Sequence, residues 1–235
     1  MTVPVLAYHK IDFPPKDALV RGGFTPLKRF ARQMKFLKQQ GYEFYTASEI
    51  IEFYLENNIF PDKGIALTFD DGWKDNYINA FPVLRDLDIK ATIFLVPSCI
   101  GQTSVKVVAA GEKPRRHLSK DEILEMSQNG IEFGSHTVNH FHLDKIKPEE
   151  IKYEVEESKN QIENLLQKPC KTFAYPAGFF TETAQIAVRN AGYIAAFTTI
   201  YGDDKNLNLF SLNRTEILRR HRFLFQFKNT LKLMN

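Results

Sequence analysis

Ile65-Ala66-Leu67-Thr68-Phe69-Asp70-Asp71-Gly72 is the stretch on which the reading of this chain turns. Its apolar, β-prone residues form a short buried strand that delivers two adjacent carboxylates onto a glycine turn. Successive residues at the end of a strand point in different directions, so Asp70 and Asp71 can serve two tasks instead of sharing one. The stretch reads as a buried strand that ends in a reactive site.

Further along, Phe133-Gly134-Ser135-His136-Thr137-Val138-Asn139-His140 places two imidazoles four positions apart. That spacing lets both rings face one ion. One Asp with two His is a three-ligand set that leaves coordination positions open for water and substrate, as in catalytic rather than structural zinc. The other Asp is then free to act as a base. Alone, Asp-Asp-Gly is more often a plain turn and His-x3-His a surface feature; each following a short apolar strand, the two together point to a site.

Outward from these motifs, short apolar runs alternate with helical patterns. Strands are expected over 3–7, 44–46, 65–69, 91–96, 131–133, 172–175 and 194–198. Helices are expected over 26–40, from a Ser48 cap to about 56, over 75–87 with Pro82 weakening the middle, from a Ser119–Glu122 capping box to about 130, over 148–166 and over 181–190. This alternation means βα units and a parallel sheet, and seven or eight strands favour an α/β barrel, closed or nearly so. In such barrels function gathers at the carboxyl ends of the strands. Tyr8-His9, Asp70-Asp71, the long loop 97–118, His136 with His140, and Tyr175-Pro176-Ala177-Gly178 all fall there.

At 235 residues, 43% hydrophobic and 25% charged, the chain suits one large α/β domain spanning 1–235. A net charge of +3, from 31 basic and 28 acidic residues, argues against nucleic acid as a partner, which wants a concentrated basic face. Cys99 and Cys170 make no disulfide framework and lack a Cys or His at ligand spacing. The start has no basic segment followed by an apolar one, and no run is long enough to span a bilayer. A cytoplasmic location is expected for the chain as written, and an extracytoplasmic one if a leader has been trimmed.

On these residues the chain resembles the polysaccharide deacetylases, a carbohydrate esterase family that removes N-acetyl groups from amino sugars on a distorted (β/α) barrel. Thr68-Phe69-Asp70-Asp71-Gly72 is similar to the first family motif, which implies Asp70 as catalytic base and Asp71 as metal ligand. His136-Thr137-Val138-Asn139-His140 is similar to the second, with both His as ligands. Phe173-Ala174-Tyr175-Pro176-Ala177-Gly178 resembles the third, which lines one wall of the groove and implies substrate contacts from Tyr175, Pro176, Ala177 and Gly178, with an oxyanion donor in the Ala177 N–H. Many relatives carry an Arg where Ala174 stands, which helps hold the base, and an aromatic where Ala177 stands; both are missing here. The opening Val3-Pro4-Val5-Leu6-Ala7-Tyr8-His9 is similar to the branch that works on exported poly-N-acetylglucosamine, and the usual late Leu-His motif is absent after Thr215. The resemblance therefore implies His9 as general acid.

The expected chemistry is metal-assisted amide hydrolysis on an N-acetylated glycan: a polymer, an oligosaccharide or a lipid-linked intermediate. Zinc is the first expectation, and the same ligands accept cobalt, nickel or iron. Two alternatives stand beside it, a catalytically impaired carbohydrate-binding barrel and an amidohydrolase acting on a non-sugar amide or cyclic imide. Trp73 and Tyr77 suit either sugar stacking or packing, as do Tyr175 and Phe179. His117 and Asp203-Asp204 read as solvated loop residues, His142 as lying behind the ligands or at the surface, and His221 as part of a charged helix face. The segment from about 217 to 235 is basic and amphipathic. It either packs on the barrel or makes peripheral membrane contact.

Overall fold

A computed structural model describes residues 3–14, 16, 23–104, 114–199, 207–218 and 227. Eight strands alternate with helices: β1 (Val5–Tyr8), α1 (Leu27–Gln39), β2 (Glu43–Tyr45), α2 (Ala47–Asn57), β3 (Gly64–Phe69), α3 (Phe81–Asp86), β4 (Ala91–Leu95), α4 (Lys120–Gln128), β5 (Ile131–Ser135), α5 (Pro148–Leu166), β6 (Thr172–Ala174), α6 (Glu182–Asn190), β7 (Ala195–Phe197) and β8 (Thr215–Glu216). The sheet runs β7-β6-β5-β4-β3-β1-β8, with β2 paired to β3 off this path, and every strand pairing is parallel. The expected distorted (β/α) barrel is the observed fold.

Residues 212–217 join the two ends of the sheet. Leu212 bridges Phe197 of β7, whereas Thr215 and Glu216 register with Leu6 and Ala7 of β1. Backbone bonds from Thr198 N to Leu212 O (2.8 Å) and from Ile217 N to Ala7 O (2.8 Å) fasten the two sides of this seam. At two residues, β8 is too short to show a period in sequence, and it was not among the expected strands.

Side chains alternate across the barrel wall with the period of two that a strand imposes. Leu6, Tyr8, Leu67, Phe69, Ile93 and Leu95 pack outward in one cluster with Phe30, Met34 and Leu37 of α1 and Ile123 and Met126 of α4. Val5, Ala66, Phe94, Ala174, Ala195 and Phe197 form a second cluster that includes Ala47, Ile50 and Ile51 of α2. Many of these inward residues are small, and Thr68 and Thr92 are buried with them. The interior therefore has room for something larger than an aliphatic side chain.

Local chemistry shifted two expected helix starts. The cap of α2 is Thr46, not Ser48: the Thr46 hydroxyl accepts from Glu49 N, and the Glu49 carboxylate accepts from Thr46 N at 2.9 Å. Ser48 instead lies inside the first turn, where its N–H donates to Glu132. The helix expected over 75–87 opens as a π-helical turn, Asn76–Ala80, before α3. Pro82 has no N–H to give the regular ladder, which accounts for the irregular turn ahead of it. The Ser119–Glu122 capping box and the Pro148 helix start are as expected.

That irregular turn clasps the chain leaving β1. Asp75 Oδ1 accepts from Ile11 N at 2.7 Å, Asn76 Nδ2 donates to His9 O at 2.9 Å, and Asn79 Nδ2 donates to Ile11 O at 2.7 Å. Burial pushes the Asp75 carboxyl up from 3.8 to about 6, against the pull of the Ile11 N–H and of Arg115, whose Nη1 is 3.6 Å away. The folded protein thus binds the Asp75 proton more tightly than the unfolded chain, so stability falls as pH rises from 3.8 to about 6. Asp75→Asn keeps an acceptor for Ile11 and removes the buried charge. In thermal melts, the variant is expected to gain on the wild type as pH rises from 3.8 to about 6 and to keep a constant advantage above that; a pH-independent difference would refute this account.

Candidate active site

The end of β3 separates the two carboxylates by a change of backbone conformation. Asp70 continues the strand, with its N–H donating to Tyr8 O at 3.0 Å, and is 1% exposed. Asp71 (φ 73°) and Gly72 (φ 65°) then adopt left-handed backbone, which turns the second carboxylate to the barrel rim. A Cβ on Gly72 would also sit 2.8 Å from Leu95 Cδ2, so glycine is needed there on two counts.

At the end of β5, His136 and His140 meet Asp71. The Asp71 Oδ1 atom lies 3.2 Å from His140 Nε2 and 3.7 Å from His136 Nε2. One ligand atom from each of the three residues lies within 4.8 Å of the others. Because a carbonyl can only accept, the 2.7 Å contact between His136 Nδ1 and Ala174 O means that Nδ1 carries the proton. Burial pushes the His136 pKa down to about 4, so near neutral pH the ring is uncharged and its Nε2 lone pair faces the cluster. Although burial pushes the Asp71 carboxyl up, its hydrogen bond to His140 and the neighbouring imidazoles hold it well below the usual carboxylate range. An anion and an imidazole nitrogen aimed at one point, with a second imidazole beside them, are a donor set that fits a divalent cation.

The loop carrying these His is braced from α5. Glu154, 2% exposed, accepts from Asn139 N at 2.8 Å and from Asn139 Nδ2 at 2.6 Å. Thr137 (φ 64°) and His140 (φ 57°) are left-handed within that loop.

Asp70 is held from inside the barrel by Arg214. The guanidinium donates from Nη1 to Oδ1 and from Nη2 to Oδ2, each at 2.8 Å, and also donates to Thr68 Oγ1 at 3.1 Å and Thr198 O at 3.2 Å. Its Cζ lies 5.3 Å from the centre of the Phe94 ring. Burial raises the Asp70 pKa, and the charge of Arg214, with its hydrogen bonds, does most to offset this, leaving the carboxyl below its ordinary value. His9, on the other side, brings Nε2 to 3.9 Å from Asp70 Oδ2, with 22% of its side chain exposed. His9 and Asp70 are thus neighbours.

Trp73 and Tyr175, expected as groove residues, are buried. The Trp73 indole N–H donates to Asp71 Oδ2 at 2.7 Å, and the Tyr175 hydroxyl donates to Phe210 O at 2.9 Å. Pro176 and Gly178 are buried as well, whereas Ala177 is exposed and left-handed (φ 55°). Hydroxyls of Thr198 and Thr199 donate to the carbonyls of Gly178 and Ala177, both at 3.1 Å, and tie this loop to the end of β7. His117 is not a solvated loop residue: it is 6% exposed, stacks on Trp73 with ring centres 4.2 Å apart, and donates from Nδ1 to Asp71 O at 2.9 Å. His142 lies against Phe179, ring centres 5.8 Å apart, and Phe179 is 55% exposed at the rim. Asp203-Asp204, His221 and most of the basic segment lie outside the described residues; Phe227 of that segment is buried, with its ring 6.4 Å from that of Phe36 in α1.

The polysaccharide deacetylase family profile matches residues 57–196. The chain belongs to that family. The YxkH protein of Bacillus subtilis, itself named after the family, is 30% identical over 216 residues, covering 92% of this chain and 71% of its own. A poly-beta-1,6-N-acetyl-D-glucosamine N-deacetylase of Staphylococcus aureus is 28% identical over 179 residues, 72% of this chain, which spans only 59% of that protein. Among solved structures, the Streptococcus pyogenes deacetylase PplD in complex with acetate superimposes with a TM-score of 0.83 at 29% identity, over 100% of this chain and 99% of that one.

Against the polysaccharide deacetylase pattern, Ala174 leaves no arginine on β6, and Arg214 brings a guanidinium to Asp70 from the seam instead. Sequence reasoning missed Arg214. Its signal is faint, one of 31 basic residues, next to a strand of two residues. Removing one partner of a buried pair leaves the other charge uncompensated, at a cost of about 3–5 kcal/mol. Arg214→Met is therefore expected to lower the unfolding free energy obtained from urea titration by that amount near neutral pH, and the urea midpoint with it. Since the folded Asp70 pKa lies below 3.8, this contribution is complete above the unfolded value and fades as pH falls through the folded one. An unchanged midpoint at neutral pH would show that the fork does not hold the site together.

Proposed function

We propose that this family member removes N-acetyl groups from an amino-sugar glycan by divalent-metal-dependent hydrolysis. The observation that carries the reading is the convergence of Asp71, His136 and His140 beside an ionised, unligated Asp70. Family membership supports deacetylation, and the Staphylococcus aureus relative, named for poly-beta-1,6-N-acetyl-D-glucosamine, supports N-acetylglucosamine polymers as the substrate class. A divalent ion held by the three ligands, zinc first among the candidates, supplies Lewis acidity to a carbonyl oxygen and lowers the pKa of water from 15.7 toward about 7.

The chain's own groups then divide the proton work. Asp70, kept anionic by Arg214, takes the proton from the attacking water. His9 Nε2, 3.9 Å from Asp70 Oδ2 and open to solvent, gives a proton to the departing amine, which leaves poorly without one. The N–H of Ala177, an exposed residue, is the chain's candidate donor to the oxyanion, a type of contact worth roughly 3 kcal/mol in other hydrolases. A main-chain donor survives the loss of an aromatic side chain at this position. The Arg214 fork also removes the argument for an impaired barrel, because the base has its cation after all.

Acetate release from chitooligosaccharides and from β-1,6-linked N-acetylglucosamine oligomers, with metal restored, tests the reading. Asp70→Asn is expected to keep normal metal content and lose at least about 10²-fold in turnover. His9→Ala is expected to lower kcat more than it raises KM. Full turnover by Asp70→Asn would refute the base, and an unchanged kcat in His9→Ala would move the acid elsewhere.

A further inference from the structure

Trp73 is the chain's single tryptophan, and its indole is held from three sides. Below it, Nε1–H donates to Asp71 Oδ2 at 2.7 Å. On its faces are the His117 ring, with centres 4.2 Å apart and an interplanar angle of 26°, and Lys10 Nζ, 4.3 Å from the ring centre. An isolated bridge pairs Trp73 with His117, and Leu118 N donates to Gly72 O at 2.9 Å, so segment 117–118 is fastened to the turn that carries Asp71. His117 also closes on that turn directly, through its Nδ1–H on the Asp71 carbonyl.

These contacts distinguish the two oxygens of Asp71. Oδ2 accepts a hydrogen bond from Trp73, and Oδ1 faces His136 and His140. An oxygen that already accepts an indole N–H is a poor second ligand, so the carboxylate offers one donor atom rather than two.

We infer that Trp73 is a positioning residue that restricts Asp71 to single-oxygen coordination, with His117 locking the indole. This rests on the metal site proposed above. A carboxylate free to bind through both oxygens would raise the coordination number and take a position that substrate and water need. Trp73 thus acts on the chemistry through the ligand and not by stacking on the sugar.

The test uses the full chain freed of metal and titrated with Co²⁺, followed by visible absorption and calorimetry. Wild type is expected to bind one Co²⁺. Trp73→Phe preserves an aromatic face for His117 and Lys10 and removes the N–H; it is expected to bind Co²⁺ about 10- to 100-fold more weakly, with visible bands weakened and shifted as the coordination number rises. Equal affinity with an unchanged spectrum would overturn the positioning role while leaving the metal site standing. Failure of the wild type to bind at all would overturn the metal site itself. Should Trp73→Phe not fold, the wild type decides alone. Zn²⁺ is then expected to shift the emission of Trp73 with the stoichiometry found by calorimetry, and binding without any shift would overturn the proposal.

Discussion

A carboxylate sealed away from water stays ionised where a cation is sealed in beside it, and the pairing of Asp70 with Arg214 meets that condition inside this barrel. The rest of the structure is arranged to make the pair possible. Small inward residues, among them Ala66, Ala174 and Ala195, leave room for the guanidinium, and Thr68 and Thr198 take up N–H groups that Asp70 does not. The partners of the fork, Thr68, Asp70 and Thr198, lie in or next to strands β3 and β7, which place side chains more precisely than loops do. Arg214 lies between Leu212, which bridges β7, and Thr215, which pairs with β1, so the segment that closes the barrel also delivers the cation.

Four of the eight non-glycine residues with positive φ among the described residues lie at the rim above this pair. Asp71, Thr137, His140 and Ala177 all have positive φ, and for a β-branched residue such as Thr137 this is rare. Each such residue costs on the order of 1–3 kcal/mol and persists where its surroundings over-determine it. Those surroundings can be named. Trp73 and His117 hold Asp71, the Glu154 carboxylate grips Asn139 between Thr137 and His140, and the Thr198 and Thr199 hydroxyls hold the loop of Ala177. Strain gathered at one rim, with a dedicated brace at each point, is the pattern of a site built for geometry at the expense of stability.

What could be read from residues alone follows from how local the signals are. Strand β3 and the two motifs were legible because a run of apolar residues, a turn and a four-residue spacing are local patterns. The meeting of Asp71 with His136 and His140, the barrel and most helix ends came with them. Arg214, β8 and the role of His117 were not legible, since each is defined by contacts between parts of the chain far apart in sequence: Arg214 to Asp70, Thr215 to Leu6, His117 to Asp71. Trp73 was legible as a residue near the site and not as a donor, because the left-handed turn at Asp71 and Gly72 decides which way the carboxylate faces. The α2 cap was a different kind of miss: Thr46-Ala47-Ser48-Glu49 contains the capping-box pattern in plain sight, two residues ahead of the serine that was preferred.

The exposure of the site residues gives the reaction a direction. Side-chain exposure rises from 2% at Asp70 through 16% at Asp71 and 22% at His9 to 32% at His140. Under the proposed function, a glycan too large to enter the barrel would approach from the side of His9 and His140 and present its acyl group inward, toward Asp70. Arg214 occupies the inner edge of both Asp70 oxygens, which leaves the face toward His9 and the ligand cluster for proton transfer. On the proposed mechanism, the base would be dry, the acid partly exposed and the outermost ligand accessible, so the attacking and departing ends of the bond would be set apart by depth. That separation is made by the alternation of inward and outward residues along β3 and by the turn that lifts Asp71 out of the interior where Asp70 remains.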